Sequence, residues 1–314
     1  LEVALTENPD TKIVAFVHAE TSTGVRSDAE TIAKIAKVHD CLVIADTVTS
    51  LAGIPVMTDE WGLDGVYSGS QKCLSSVAGL SPLTFSDKAI EKITNRSDKI
   101  QSWFLDQTLV LDYWSGEGKR SYHHTAPINS VYALHESLRQ VCNEGLENSW
   151  QKHLDAHIRL KKGLEELNFN FVVEEEYRLP QMNSIYVPEN IDELAVRMEL
   201  LNDFNLEIGA GLGKLSGKIW RIGLMGYNAR KDSVDYCLNR LKKVNQELIG
   251  TNVYLSLNEM KAINVYVVGA AYKPGTYTVS SLASLTNVVL ASGGPSQQGS
   301  LRNIQVKRNG TLVN

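Results

Sequence analysis

The sequence predicts an α/β protein: a mainly parallel sheet, then a smaller α+β unit, then a small β-rich tail. Three observations carry this reading. Short continuous apolar runs alternate with helical patterns ahead of Lys72, long amphipathic stretches follow, and the composition changes abruptly near residue 250. A chain of 314 residues also exceeds the size at which one hydrophobic core usually stops growing.

The first element is the run Lys12-Ile13-Val14-Ala15-Phe16-Val17, apolar on both faces as a covered strand requires. Ser27-Asp28-Ala29-Glu30 has the spacing of a capping box, and Ile32, Ile35, Ala36 and His39 follow at helical spacing. Cys41 to Ala45 reads as the next buried strand, ending at Asp46, and Gly65-Val66-Tyr67 as a third. Strands alternating with helices imply parallel pairing through right-handed crossovers, with ligands gathering at the strands' carboxyl ends. His18, Asp46 and the segment Ser68 to Lys72 fall at three such ends.

Residues 128–165 read as helical, with apolar stripes at Leu134, Leu138 and Val141 and at Leu154, Ile158 and Leu160. Ser184 to Val187 and Lys218 to Ile222 read as strands around a helix at Ile191 to Phe204, and Ser233 to Leu248 as a last amphipathic helix. In the tail, Asn264 to Gly269 and Gly275 to Val279 read as strands joined through Lys273-Pro274-Gly275, and a short helix through Leu285, Val288 and Val289 ends at Gly293-Gly294. Asn309-Gly310 is a strong hairpin signal after Ile304 to Arg308.

Composition excludes several classes. Hydrophobic residues at 43% and charged residues at 21% are ordinary for a soluble globular protein. No apolar run approaches the length of a membrane span, and the first residues lack the pattern of an export signal. A net charge of -5 is too mild to imply nucleic acid or a membrane surface as partner. The scattered Cys41, Cys73, Cys142 and Cys237 suit a reducing compartment. From Asn252 onward, five basic residues stand against one acidic, a net of +4 that leaves -9 for residues 1–251. The chain begins with Leu, which implies that its true start lies upstream.

Lys72 sits twenty-six positions after Asp46. An amine and a carboxylate so placed suit pyridoxal phosphate, which needs a lysine to hold its aldehyde as a Schiff base and a carboxylate to keep its pyridine nitrogen protonated. Two other motifs do not read as sites. His153 and His157 have zinc-like i, i+4 spacing, yet the glutamate of H-E-x-x-H and a third ligand are absent, so a solvated helix face and no metal are expected. Gly209-Ala210-Gly211-Leu212-Gly213-Lys214 lacks the third glycine of a dinucleotide loop and, with Leu215 next, the hydroxyl of a P-loop. A flexible loop on the substrate side is expected there.

The ordered motifs Ala19-Glu20-Thr21-Ser22-Thr23-Gly24-Val25, Ala45-Asp46-Thr47-Val48, Ser68-Gly69-Ser70-Gln71-Lys72, Tyr122-His123-His124-Thr125 and Arg221-Ile222-Gly223-Leu224-Met225-Gly226 together resemble the class V aminotransferases of fold type I. The resemblance covers residues 1–248 and is to the alanine-glyoxylate (serine-pyruvate) type. It implies an incomplete pyridoxal-phosphate transferase large domain over residues 1–125, then a helical connection and a small α+β domain over 126–250. By the same resemblance, Lys72 would form the Schiff base and act as proton-transfer base, Asp46 would pair with the pyridinium, and Val48 would pack on the ring. Thr21 would reach the ring oxygen and Gln71 the phosphate. Tyr122 and Thr125 would reach the phosphate from the other subunit of a homodimer, and Arg221 would clamp the substrate carboxylate, a task for its planar fork. Viewed alone, Tyr122 to Thr125 is a turn beside two solvated histidines. The implied reaction moves an amino group from alanine or serine to a small 2-oxo acid such as glyoxylate, in the cytoplasm. The family's glycine-rich phosphate turn and ring-stacking residue would precede residue 1.

Val267-Val268-Gly269, Lys273-Pro274-Gly275-Thr276-Tyr277, Ser292-Gly293-Gly294, Gly299 to Ile304 and Lys307 to Gly310 are similar to the soluble-ligand-binding (SLBB) β-grasp domains of polysaccharide export proteins. That resemblance spans residues 252–314 and implies a periplasmic, cell-envelope setting. The two settings disagree, for which two joined gene fragments are the simplest account and a real fusion the other. With the family's phosphate turn absent from the sequence, the alternative function is binding or assembly by the tail, with the enzyme part inactive.

Overall fold

The apolar runs ahead of Lys72 become the strands of one sheet. The computed structural model describes residues 1–114, 121–189, 191–248, 262–280, 283–301, 304–308 and 311–313. The chain divides into two compact units, residues 1–251 and 252–314.

Strands β1 (Ile13–Val17), β2 (Leu42–Asp46), β3 (Gly65–Tyr67) and β4 (Leu83–Phe85) lie side by side in that order. β1 and β2 run parallel, as do β2 and β3, and β4 pairs antiparallel to β3. The sheet is thus mixed. The reversal has a local cause: after β3 the chain turns back on itself, with Ser68 N–H donating to Pro82 O and Ser70 N–H to Leu80 O. No crossover helix intervenes, and without one the returning strand pairs antiparallel.

Helix α1 (Ala29–Val38) covers one face of this sheet. Its buried Ala33 and Ala36 join Val14, Cys41, Val43, Ala45, Leu63 and Val66 in one core, and small side chains on that face let helix and sheet approach closely. The cap differs from the expected box. Asp28, directly before the helix, accepts from Thr31 N–H, while the Ser27 hydroxyl is spent on Val17 O.

Helices α2 (Ile128–Glu144) and α3 (Leu146–Glu166) are separated by Gly145, whose φ of +87° breaks the helical path. The second sheet has the order β5 (Met182–Tyr186), β7 (Ile219–Gly223), β6 (Gly209–Ala210), all antiparallel. Helices α4 (Glu193–Phe204) and α5 (Lys231–Leu248) complete the first unit. The larger core forms between α3, α5 and this sheet, from Ala156, Leu160, Leu164, Ile185, Trp220, Ile222, Val234 and Leu241 among others. Each fully buried leucine contributes about 1.5–3 kcal/mol of apolar transfer.

The inward face of α3 departs from the sequence expectation. Leu154 and Ile158 are 40% and 53% exposed, and the buried stripe runs through Ser149, His153, Ala156, His157, Leu160 and Leu164. Leu138 is exposed as well, whereas Leu134 and Val141 pack on a small cluster of Ala52, Cys73 and Leu74.

In the second unit, β8 (Ala262–Val267) and β9 (Gly275–Ser280) form an antiparallel pair. Helix α6 (Leu285–Ala291) carries a true capping box between Ser284 and Asn287. Gly293 and Gly294 have φ of +79° and +81°, the left-handed stop that glycine permits. β10 (Val306–Arg308) pairs with β11 (Thr311–Val313); the expected Asn309-Gly310 turn and the Arg302-Asn303 segment lie outside the described residues. No helix among the described residues is long and apolar enough to cross a membrane.

Candidate active site

Parallel pairing brings the carboxyl ends of β1, β2 and β3 to one rim, where His18 N–H donates to Asp46 O and Thr47 N–H to Tyr67 O. Asp46, the last residue of β2, is half-buried. Its Oδ1 accepts from Val48 N–H and its Oδ2 from the Tyr67 hydroxyl, each at 2.9 Å. Two oriented donors hold the carboxylate in place, and it keeps lone pairs for a further N–H. Burial, and then the Asp46 hydrogen bond and charge, raise the Tyr67 pKa, so the phenol remains a donor. Tyr67 received no role from sequence. Its signal was register: Asp46 and Tyr67 are direct partners across β2 and β3.

The Lys72 segment is a tight turn knit by its own serines. Ser68 Oγ donates to Thr47 O, Ser70 Oγ to Val77 O, and Ser75 N–H to Lys72 O. Lys72 is half-buried, Gln71 exposed. A Cβ added at Gly69 would stand 2.8 Å from Gln71 Oε1 and 3.1 Å from Val48 Cγ1, so the side chains of Val48 and Gln71 both lie close over Gly69. Cys73 is buried with Sγ on Thr49 O, and burial pushes its thiol up to about 12. A thiol so raised stays protonated near neutral pH.

Arg221 on β7 reaches the turn between Ala19–Glu20 and Val25–Arg26, two short segments that pair antiparallel. Its Nη1 donates to Thr21 O at 2.9 Å and its Nε to Ala210 O at 2.7 Å, so Thr21 and Arg221 come together, and among the described residues Nη2 makes no hydrogen bond. The glycine run expected as a flexible loop is instead partly strand: Gly209–Ala210 pairs with β7 and Gly211 N–H donates to Ile219 O. A Cβ at Gly211 would lie 2.0 Å from Leu215 O, which explains a glycine there.

Tyr122 and Thr125 are exposed and hydrogen-bonded to each other at 2.6 Å. Among the described residues neither bonds to Asp46, Lys72 or Arg221. The solvated-histidine reading of this turn fails for His123, which is buried with Nε2 on Trp103 O and its ring 4.3 Å from the Trp103 ring.

The i, i+4 histidines of α3 are not a solvated face either. His153 is 0% exposed and His157 7%; burial lowers the pKa of each. Asn183 holds His157 Nδ1, and both ring nitrogens of His153 have protein partners. Among the described residues no group of three or more His, Cys, Asp or Glu is placed to hold a metal.

The donor set fits pyridoxal phosphate. A positioned carboxylate with a spare lone pair, a lysine on the adjoining strand's turn, and a valine beside it match a pyridinium, an aldehyde and a ring face.

A profile of the family described as aminotransferase class V matches residues 2–235. The alanine–glyoxylate aminotransferase of Rattus norvegicus is 39% identical over 236 residues, 74% of this chain and 57% of that protein. The (S)-ureidoglycine–glyoxylate transaminase of Bacillus subtilis is 35% identical over 251 residues, covering 74% and 60%. The crystal structure of an alanine–glyoxylate aminotransferase from Nostoc sp. superposes with a TM-score of 0.74 at 46% identity, over 77% of this chain and 64% of that one. The chain thus spans less than two thirds of the length of these relatives.

Proposed function

Because the chain belongs to the class V aminotransferase family across residues 2–235, we propose that it carries out transamination between alanine or serine and a small 2-oxo acid such as glyoxylate, with pyridoxal phosphate as cofactor. Class V aminotransferases are pyridoxal phosphate enzymes, and relatives named for glyoxylate support the acceptor class. The observation that carries the reading is Asp46, fixed by Val48 N–H and Tyr67 O–H at the strand end next to the Lys72 turn.

The coenzyme, when bound, supplies an electron sink. Lys72 Nζ would hold its aldehyde and would serve as the base that moves the proton from the amino donor's carbon to the coenzyme. Asp46 keeps the ring nitrogen protonated, Val48 covers a ring face, Thr21 gives its hydroxyl to the ring oxygen, and Gln71 contributes to the phosphate site. Arg221, steadied by Thr21 O and Ala210 O, binds the substrate carboxylate and so aligns each amino donor the same way.

We also propose a homodimer in the cytoplasm, with Tyr122 and Thr125 contributing to the partner's phosphate site. Exposed Trp103, Phe104, Leu105, Trp114, Tyr122 and Tyr132 support a covered face in that region. For residues 252–314 the proposal is an SLBB-like β-grasp domain that binds or assembles, supported by the β8–β9 pair and the capped helix α6. The test is amino transfer from alanine to glyoxylate by the dimer: activity abolished by Lys72→Ala supports the enzyme reading. Activity equally absent from the unsubstituted dimer would favour the alternative, in which only the tail functions.

A further inference from the structure

Helix α3 touches both loops of the candidate site through one buried turn. Ser149 Oγ donates to Ala52 O at 2.7 Å; Ala52 closes the loop that carries Val48 and sits at a φ of +66°. One turn on, His153 Nδ1 lies 2.7 Å from Ser149 O, and His153 Nε2 lies 2.9 Å from Gly226 N. A carbonyl only accepts and an amide N–H only donates, so the partners fix the tautomer. Nδ1 carries the hydrogen, and Nε2 offers its lone pair to Gly226.

Gly226 in turn grips the Lys72 turn. Tyr227 N–H donates to Ser75 Oγ at 3.0 Å, and Ser75 N–H donates to Lys72 O at 2.9 Å. A Cβ at Gly226 would stand 1.8 Å from Ser75 Oγ and 2.8 Å from Cys73 O, at a φ of +55°, so the two turns meet backbone to backbone. Gly226 also follows β7, which presents Arg221 and ends at Gly223.

We infer that His153 is a positioning residue: a neutral imidazole that latches the Gly226 turn to α3, holding the Lys72 turn and the Arg221 strand in one register. The inference rests on the roles proposed above for Lys72 and Arg221. It explains why a fully buried face carries a histidine where leucine would pack. A rigid ring with a donor at one end and an acceptor at the other spans its own helix carbonyl and a distant amide. Leucine would leave the Gly226 N–H buried and unpaired.

The test uses the full chain and two variants, His153→Leu and His153→Gln. Hydrogen exchange is followed at Gly226 and Tyr227, with Leu160 and Leu241 as core references, and borohydride reduction after adding pyridoxal phosphate measures the label on Lys72. His153→Leu is expected to speed exchange at Gly226 and Tyr227 on the order of tenfold beyond any change in the core, and to lower the Lys72 label by a comparable factor. His153→Gln, which retains an acceptor, should recover much of both. Unchanged protection and labelling in His153→Leu, or changes that merely track the core, overturn the inference. If His153→Leu fails to fold, nitrogen-15 spectra of the unsubstituted chain decide: protonated Nδ1 with bare Nε2 is expected, and the reverse tautomer overturns it. Exchange and tautomer need no coenzyme. A chain that takes no label at Lys72 therefore defeats the functional reading while the latch is still decided separately.

Discussion

Tyr67 and Asp46 face each other across two parallel strands, and their hydrogen bond fixes one oxygen of the carboxylate proposed to hold the coenzyme ring. Tyr67→Phe keeps the ring and removes the hydroxyl. A hydrogen bond to a charged group contributes about 1.5–3 kcal/mol, reduced here because Tyr67 is 39% exposed. The expected result is coenzyme affinity lowered roughly three- to tenfold, read by absorbance titration; unchanged affinity would remove Tyr67 from the site. His18 bears on pH. It is buried at the end of β1, and burial, then the charge of Arg26, lower its pKa from 6.5 to about 4. Its folded pKa lies below its unfolded value, so stability is full above about 6.5 and is lost as pH falls towards 4. The loss amounts to about 3 kcal/mol for this group. Urea unfolding at stepped pH should show that decline, and a flat profile would contradict it. At this scale the strand-end aspartate and the lysine turn were legible, because apolar runs locate strand ends. Tyr67 and His153 were not: their roles depend on register and on a backbone amide 73 residues away.

Helix α3 is the element whose reading changed most. Leucine and isoleucine at helical spacing suggested an apolar stripe through Leu154 and Ile158. The helix instead turns His153 and His157 inward, because both histidines find partners there and a satisfied imidazole is as admissible in a core as a leucine. Hydrophobicity alone assigns such residues to solvent. The sheet shows a similar limit. Its first strands were legible as runs, but the antiparallel return of β4 came from hydrogen bonds of Ser68 and Ser70 that no composition reveals. Two substitutions test the packing. Leu164→Ala, at a fully buried site in the larger core, should cost about 2–5 kcal/mol in chemical unfolding. Gly163 lies where an added Cβ would come within 2.3 Å of Leu238 Cδ1 on α5. Gly163→Val should therefore cost about 1–3 kcal/mol through overpacking, and a neutral result would mean that α3 and α5 separate easily.

For the whole molecule, the abrupt change of composition near residue 250 and the division into units 1–251 and 252–314 fall at the same place. Composition reports this because each unit must build its own core. Each unit nevertheless has a different supply of buried apolar side chains. The first has two large clusters, whereas Val288 is the buried hydrophobic side chain among the described residues of the second. A unit of this size buries a smaller share of its surface than a larger one and is correspondingly marginal. Deleting residues 252–314 should leave the main calorimetric transition within about 0.5 kcal/mol of its original stability, while a large fall would show that the first unit depends on the second. The first unit is proposed to organise one lysine for pyridoxal phosphate. The most direct measurement of this is borohydride reduction of the full chain with the coenzyme, followed by peptide mass analysis. A single phosphopyridoxyl label on Lys72 is expected, lost in Lys72→Ala and weakened in Asp46→Asn; label scattered over surface lysines with no preference for Lys72 would overturn the role proposed for it.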